Sequence, residues 1–396
     1  MKRIARPKSV KRPFPEKKRA DGASARETRQ AADLKAFAAE IETLRVELIG
    51  QLGPRDVDYI KRVRRISRLA EVLGRALIHL SPDPITWTGG VFSLWLHKQL
   101  EAVEIGHSAL HGAWDGLADA EAFHSKKFKW DMPIEERSWK RGHNELHHQY
   151  TNIAGRDPDL NYGPLRIADQ TAWLPQHLVQ LALFFVTAPV FPWVINLHMT
   201  GLTDLSHPKS SEGFADVLPD RALKTILGAG FQSAKKMVPY FLYNFVFWPA
   251  LAGPFWWKVL AGNVAADVMR DIYTCATIYA GHFGDDLKYY DSSFKASGRG
   301  EWYKAQVEAA HDFEVPALIS YLCGALDYQI EHHLFPRLPP NRLRQIRPRI
   351  EAICHRYGVQ YRRQTWGKTL KGALSRIAKM SIPPVTYLRT LVERRP

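Results

Sequence analysis

The sequence predicts an all-α, integral-membrane protein with about four membrane spans and a cytosolic helical cap that carries its histidine clusters. Two uncharged stretches predict the spans: residues 178–197 contain no charged side chain over 20 residues, and residues 237–257 contain none over 21. Helices of that length cross the roughly 30 Å apolar core of a bilayer, where water cannot satisfy the backbone. The clusters predict the cap, because they lie outside these two uncharged stretches and beside the predicted spans.

Two further stretches, residues 84–114 and 259–284, are apolar but contain charged residues. Charges within a span usually face the protein interior and mark function, so we expect both stretches to be partly polar spans. A long buried helix of a soluble protein is the alternative for any one of these stretches. The charged residues are Lys98, Glu101, Glu104, Asp267, Arg270 and Asp271.

The N-terminal part divides into two segments. Residues 1–30 are rich in Lys, Arg and Pro and are predicted to form a basic disordered tail. Residues 31–80 are predicted to form an amphipathic helical segment, because Leu34, Phe37 and Ile41 recur at helical spacing. Its second half either lies on a membrane surface or packs as a soluble helix. Residues 381–396 are predicted to form a basic C-terminal tail.

The net charge of +15 comes mainly from the two ends. Residues 1–20 hold nine Lys or Arg against one acid, and residues 337–396 hold fifteen against two. Such ends suit the anionic cytoplasmic face of a membrane. No zinc-finger spacing and no basic helix leading into a heptad zipper is present, which argues against a nucleic-acid partner. We therefore expect a multi-pass inner-membrane protein with its active site and both basic ends on the cytoplasmic side.

The three cysteines, Cys275, Cys323 and Cys354, form no CxxC pair. The spacing therefore predicts neither a thiolate metal site nor a disulfide framework, and it fits a reducing compartment.

Histidines form the most informative pattern in the sequence. On an α-helix, residues i and i+4 lie on one face, so His107 with His111 and His143 with His147 can each direct two imidazoles at one point. His148 lies about 100° around the helix from His147 and can reach a second point. His332 and His333 repeat the adjacent pair, and His282 lies alone at the end of a polar span.

These eight histidines exceed what one tetrahedral zinc ion can use, so the clusters predict two metal ions. Imidazole suits Zn, Cu, Fe and Ni, and iron is the reactive choice for oxygen chemistry. The HExxH pattern of zinc proteases is absent, and soluble di-iron bundles use mainly glutamates. His311 is a further candidate for a ligand or for contact with the ligands.

At these residues the sequence resembles the membrane fatty-acid desaturase family. The segments GHSALHG, HNELHHQYTN and QIEHHLFPRLP are similar in order and spacing to its three histidine boxes. GEWYKAQ, the GHF of His282 and PPNRLRQI are most similar to its bacterial acyl-CoA and acyl-lipid branch, which includes mycobacterial stearoyl-CoA desaturase-like proteins. The resemblance implies that residues 81–380 form the desaturase domain.

The family's iron ligands carry over to eight positions in this sequence. Gln329 stands in the third box in place of a histidine, as in front-end and acyl-lipid desaturases, and is expected next to the metal rather than as a strong ligand. Relatives often have Asn near Asp312 and in the helix before His282, so Asp312 and Asp271 are expected near the ligands as departures. The implied ligands are His107, His111, His143, His147, His148, His282, His332 and His333.

The resemblance implies an O2-dependent desaturase that introduces a cis double bond into a fatty acyl chain carried by CoA, carrier protein or lipid. It implies two iron ions and a lipid bilayer. No haem-binding HPGG motif is present, so electrons are expected from a separate ferredoxin or flavin reductase, with the basic ends, Arg342–Arg349 among them, as a candidate docking surface. The alternatives are a lipid or alkane hydroxylase on the same di-iron scaffold, and a membrane metal-binding or transport protein. The substrate-binding residues stay unassigned.

Overall fold

The computed structural model describes residues 17–163, 165–209, 211–385 and 387–389, and it is mostly helical, as predicted. The predicted basic tail of residues 1–30 lies partly outside the described residues, and α1 begins at Lys17 within it. Part of the predicted tail 381–396 lies outside them as well. The α-helices are α1 (Lys17–Gly50), α2 (Pro54–Leu80), α3 (Pro84–Gln99), α4 (Glu136–Trp139), α5 (Gln180–Thr187), α6 (Phe191–Met199), α7 (Leu223–Phe241), α8 (Trp256–His282), α9 (Arg299–Glu308), α10 (Ala317–Cys323), α11 (Gln329–Leu334), α12 (Pro340–Arg356) and α13 (Trp366–Ser381).

Three helices continue into π-helical segments, which add a residue to the turn. Leu100–His107 extends α3, Lys140–His147 extends α4 and Leu242–Phe247 extends α7. One α-helical turn follows each segment, at Ser108–Leu110, His148–Tyr150 and Trp248–Leu251. The 3₁₀ turns are Glu121–Phe123, Pro158–Asn161, Pro175–Val179, Ala188–Val190, Leu202–Ser206 and Gly253–Phe255. The strands β1 (Asp312–Glu314) and β2 (Arg363–Thr365) pair in parallel, Asp312 opposite Arg363.

The helices α2 and α3 form a hairpin whose axes approach closely. A Cβ atom on Gly74 would lie 2.5 Å from the backbone nitrogen of Leu94, and one on Gly90 would lie 2.8 Å from that of Ile78. Residues 60–80 therefore pack along a neighbouring helix, while Leu69, at 64% exposed, lies on the outer face. This arrangement combines the two alternatives that the sequence left open, a packing helix and an apolar outer face.

The charged residues of the partly polar stretches face the interior. Lys98 pairs with Asp267 at 2.8 Å, and Arg270 pairs with Asp271 at 2.5 Å. Glu104 accepts from Arg344 of α12 at 2.7 Å, so α12 is tied to the end of α3. Five of these charged side chains are buried, namely Lys98, Glu104, Asp267, Arg270 and Asp271. Buried charges need such partners, because an isolated ion in a low-dielectric interior is strongly unfavourable.

One helical stretch of the described residues, Pro175–Met199, is long and apolar enough to cross a membrane, with a mean hydropathy of 2.0 in its most apolar part. Only 28% of that part is buried. The stretch contains the predicted span 178–197. The described residues thus supply one of the four spans by length and composition, and the predicted number of spans stays unconfirmed.

Candidate metal centre

Four separate segments bring the eight predicted ligands to one place. The two π-helical segments Leu100–His107 and Lys140–His147 and the turns after them carry the first five, α8 ends on the sixth, and α11 carries the last two. Each of the eight is at most 9% exposed. They are His107, His111, His143, His147, His148, His282, His332 and His333.

The first group of imidazoles gathers around His107. The ligand atoms of His107, His111, His143 and His332 all lie within 4.8 Å of one another. The Nε2 atom of His107 lies 3.3 Å from that of His111 and 3.4 Å from that of His143. The Nε2 atom of His148 lies 3.2 Å from that of His143, so a fifth imidazole borders this group.

The second group consists of His147, His282 and His333, whose ligand atoms also lie within 4.8 Å of one another. Hydrogen bonds fix two of these rings. The Nδ1–H of His147 donates to Asp157 Oδ1 at 3.0 Å, and the Nδ1–H of His333 donates to Gln306 Oε1 at 3.1 Å. In the neutral form of each ring, the bond keeps the proton on Nδ1 and leaves Nε2 available as a metal ligand, an arrangement that orients metal-binding histidines in general.

The π-helical turn distributes the second box differently from the α-helical expectation. The expected pair was His143 with His147, but a wider turn brings residues i and i+5 together, so His148 lies against His143 at the border of the first group. The ring of His147 instead lies against His282, with centroids 4.7 Å apart. His143 and His147 still adjoin, because their ligand atoms lie within 4.8 Å of each other and of Asp159.

The ring nitrogens fit metal ions. Five of them, all buried, have no hydrogen-bond partner among the described residues, and buried polar atoms rarely stay unpaired. Burial holds the pKa values of His143, His148, His332 and His333 well below the ordinary range, so these imidazoles are neutral ligands at pH 7. The five unpaired atoms are His147 Nε2, His148 Nδ1, His282 Nδ1, His332 Nε2 and His333 Nε2.

His147 differs electrostatically from these neutral rings. Burial alone would lower its pKa, but the carboxylates of Asp157 and Asp159 raise it to about 9. The metal-free site therefore holds one imidazolium at pH 7, on the ring that the carboxylates orient.

Two residues expected near the ligands contact a ligand histidine or the helix that carries two of them. The Nε2 atom of Gln329 is 2.8 Å from Nε2 of His282, which places the amide beside the second group. Asp312 acts one step further away: its Oδ1 accepts from the backbone N–H of Ile330 at 3.0 Å, and its Oδ2 accepts from Arg347 at 2.8 Å. Asp312 therefore fixes the first turn of α11 and, through it, the third histidine box.

Two other expected residues are not brought to the ligands. The Nε2 atom of His311 pairs with Asp286 Oδ2 at 3.0 Å, and His311 belongs to neither group of imidazoles. Asp271 lies on α8, eleven residues before His282, which is about 16 Å along the axis. Its carboxylate pairs with Arg270, and a role of Asp271 near the ligands stays a prediction.

The polar residues that orient the second group were not predicted from the sequence. Asp157 and Asp159 follow the second box in a short turn, and His198 reaches Asp159 Oδ1 at 3.3 Å. Gln306 lies on α9, 27 residues before His333. Asp157 could have been predicted, because it lies ten residues after His147 in a pair of closely spaced acidic residues. No feature of the sequence near Gln306 indicates that it contacts a histidine.

An apolar cavity opens beside both groups. It is lined by Trp139, by His107 and His143 of the first group, and by His282 of the second group. Its volume is about 50 Å³. An acyl chain is larger, so the lining side chains must move apart to admit one, which flexible methionines allow. The other lining residues include Met132, Met199, Ile195, Thr274, Ile278 and Leu326.

Comparison with known proteins gives the family. The sequence model of the family described as "Fatty acid desaturase" matches residues 84–365, more than two thirds of the chain. The chain is 33% identical over 374 residues to the NADPH-dependent stearoyl-CoA 9-desaturase of Mycobacterium tuberculosis (strain ATCC 25618 / H37Rv), covering 92% of this chain and 84% of the relative.

Two further relatives act on other lipids. The chain is 26% identical to the sn-1 linoleoyl-lipid 6-desaturase of Arthrospira platensis, over 76% of this chain and 83% of the relative. It is 24% identical to the Delta 8-(E)-sphingolipid desaturase of Lachancea kluyveri, over 83% of this chain and 57% of the relative. The predicted family is confirmed: the chain belongs to the fatty acid desaturase family and is an oxidoreductase of lipid metabolism.

Proposed function

We propose that this desaturase introduces a cis double bond into a long saturated acyl chain, using O2 and two iron ions held by the eight histidines. The observation that carries the proposal is the convergence of imidazoles from four segments into two adjoining groups beside one apolar cavity. Two groups suit two metal ions, and among the metals that imidazole suits (Zn, Cu, Fe and Ni) iron is the reactive choice for oxygen chemistry. When bound, the iron pair supplies the oxidising power that removal of hydrogen from an unactivated methylene pair requires.

The protein's own side chains position the acyl chain and exclude water from the metal centre. Trp139 stacks on His143 with ring centroids 4.4 Å apart, so an aromatic wall separates the imidazoles from bulk water. Ile195 and Leu326 also line the cavity and can hold an acyl chain by burial alone. Holding one pair of methylenes against the metal centre selects the bond that reacts, since orientation supplies much of an enzyme's rate advantage.

We propose that the substrate places about nine carbon atoms beyond the metals. On α8 the cavity lining runs from His282 through Ile278 to Thr274, a rise of about 12 Å, which equals about nine carbon atoms of an extended chain. One turn further along α8 lies the Arg270–Asp271 ion pair, which an alkyl chain cannot enter. The 9-position named for the mycobacterial stearoyl-CoA desaturase agrees with this length.

We propose an inner-membrane location with several spans and the metal centre on the cytoplasmic side. Besides Pro175–Met199, apolar side chains are exposed along α2 and α7, such as Val72 at 69% and Phe231 at 71%. On α2, exposed Arg62 and Arg65 precede exposed Ile66 and Leu69, which is the order expected where a helix enters a bilayer from its cytoplasmic side. Electrons come from a separate donor protein, in keeping with the NADPH dependence named for the mycobacterial relative.

The test is expression in a bacterial host followed by fatty-acid analysis and iron determination. The wild-type chain should yield a new monounsaturated acid and about two iron atoms per purified chain. His147→Ala should yield neither the product nor full iron, whereas His355→Ala, which changes an exposed histidine outside the site, should behave like wild type.

The mass of the product separates desaturation from hydroxylation, since one removes two hydrogen atoms and the other adds an oxygen atom. A hydroxylated product would replace the proposal with its nearest alternative. Purified chain that lacks any redox metal while the host still gains unsaturated acids would contradict the metal assignment.

A further inference from the structure

A second cavity is lined by residues next in the chain to metal ligands. Its volume is about 620 Å³, and it shares no lining residue with the acyl cavity. Its floor is apolar, with Leu48, Leu334 and Phe335 among the lining residues, and we call it the arginine groove after its three charged residues, Arg45, Arg299 and Arg337. No acidic residue lines it among the described residues. A groove of this kind suits a protein partner with an acidic rim and an apolar centre.

The arginine groove lies within a few residues of both groups of imidazoles. Gly112, which follows His111, and Leu334, which follows His333, line it. The helix α9 links it to the second group, because Tyr303 lines the groove and Gln306, less than one turn later, accepts from Nδ1–H of His333 at 3.1 Å. Trp302 also lines the groove, and its Nε1–H donates to the backbone oxygen of Gln149, next to His148, at 3.2 Å.

The charges of the groove stay available for a partner. Arg337 is exposed and forms no ion pair with any residue that the structure describes. Arg45 and Arg299 both pair with the single carboxylate of Glu42, at 2.6 and 2.9 Å. One acid against three arginines leaves a positive field over the groove, which attracts acidic partners and speeds their approach.

The arginines that the sequence suggested for this role are engaged elsewhere. Within α12, Arg344 pairs with Glu104 at 2.7 Å and Arg347 pairs with Asp312 at 2.8 Å, and both are largely buried. Arg342 likewise pairs with Asp56, and Arg349 with Glu47. The basic stretch Arg342–Arg349 therefore serves mainly to hold α12 against the rest of the protein.

We propose that the arginine groove is the docking site of an acidic electron-carrier protein, from which electrons pass along α9 to the metal centre. This inference rests on the proposed desaturation. One acyl chain, one O2, two electrons and two protons give one alkene and two water molecules. The docked carrier supplies the electrons one at a time and is itself oxidised twice per double bond, and the protons come from solvent.

The test uses the intact metal-loaded protein in detergent or nanodiscs and an acidic plant-type [2Fe–2S] ferredoxin as the probe. Binding is measured at low and high salt, and turnover is measured with reduced ferredoxin and, separately, with a reduced viologen. Arg299→Gln with Arg337→Gln should weaken ferredoxin binding about tenfold at low salt, remove most of the salt dependence and lower ferredoxin-driven turnover to match. Viologen-driven turnover and iron content should stay at the wild-type level.

The matched control is Arg349→Gln with Arg356→Gln, which removes the same charge from exposed ion pairs on α12. It should leave ferredoxin binding within about twofold of wild type. Equal loss of binding in both double variants, or no ferredoxin binding by the wild-type protein, would overturn the docking site. Absence of product with viologen as well as ferredoxin would instead show that the proposed function has failed, while the binding data still decide where the probe docks.

Discussion

The two groups of imidazoles are held in place by different means. In the first group, His143 is surrounded by other histidine rings and by Trp139, whose centroid lies 4.4 Å away. In the second group, His147 and His333 are oriented by a carboxylate and by an amide oxygen. The first group has four convergent imidazoles with a fifth at its border, whereas the second has three.

The difference indicates how each group would keep a metal ion. The first group has more imidazoles than the second, so a metal ion bound there should be retained better when one imidazole is lost. A site of three imidazoles depends on every ligand and on the bonds that fix each ring, because partners of this kind strongly affect metal affinity. The second group should therefore be the more fragile half of the centre.

The sharpest way to break this comparison uses two adjacent histidines of α11. His333→Ala removes one of three imidazoles from the second group, and His332→Ala removes one from the larger first group. Both should lower turnover about 100-fold or more, because both metals are needed. Iron per chain should fall from about two to about one in His333→Ala and stay closer to two in His332→Ala.

Iron determination on purified variants, with circular dichroism to check folding, makes the measurement. His355→Ala is the control, since that side chain is exposed and distant from the centre. The comparison fails if the two variants lose iron equally.

The spacing of the histidines predicted which of them form the metal centre, but not how they divide between the two groups. His107 and His111 meet as their i, i+4 spacing indicates, with Nε2 atoms 3.3 Å apart. The second box divides between the groups because its turn is π-helical, and that backbone register is set by packing rather than by local propensity. Gln306 was beyond reach for a related reason: its partner His333 lies on another helix, and only the folded chain brings them together.

The sequence predicted the mostly helical fold class, but it predicted the placement of the individual stretches less well. Helical content follows from periodicity, and Pro175–Met199 follows from an uncharged run. The partly polar stretches were harder to place, because their charges pair across helices: Lys98 meets Asp267, 169 residues later. The carboxylate of Asp271, which was expected near the metals, pairs with its neighbour in the chain, Arg270.

A milder change separates the groups through the bond that orients His147. In Asp157→Asn the amide keeps the size of the side chain but removes the charge and weakens the bond from Nδ1–H, which is 3.0 Å long. Iron affinity of the second group should fall by about 10- to 100-fold, while that of the first group stays unchanged. Competition with a graded series of chelators should show one weakened iron and one normal iron per chain.

Asp115→Asn provides the matched control, because Asp115 is hydrogen-bonded to Ser125 and contacts no ligand histidine. Two equally weakened irons in Asp157→Asn would contradict the idea that the carboxylate serves one group alone.

A smaller effect on the metal, but a clear one on stability, is expected from the residue that fixes α11. Asp312→Ala removes the acceptor of Ile330 N–H and leaves Arg347 without its partner. Loss of one member of such a pair should lower the free energy of unfolding by about 3 kcal/mol. Asp312→Asn, which keeps an oxygen for the backbone bond, should lose less, and thermal unfolding in detergent compares them. Equal losses would assign the whole effect to the charge and none to the bond from the backbone N–H of Ile330.

The smallest expected effect concerns protons. The metal-free site carries one extra proton at pH 7, because Asp157 and Asp159 raise the pKa of His147 to about 9, whereas burial keeps the first-group rings of His143 and His332 neutral. A metal ion needs the neutral Nε2 of His147, so binding releases that proton below pH 9 and releases none above it. Zinc added to metal-free protein at pH 7.5 should therefore release about one proton per chain, measured by titration calorimetry in buffers of different ionisation enthalpy. Asp157→Asn lowers the pKa of His147 and should reduce the release toward zero, and an unchanged release in that variant would show that the second group is not the one that the carboxylates distinguish.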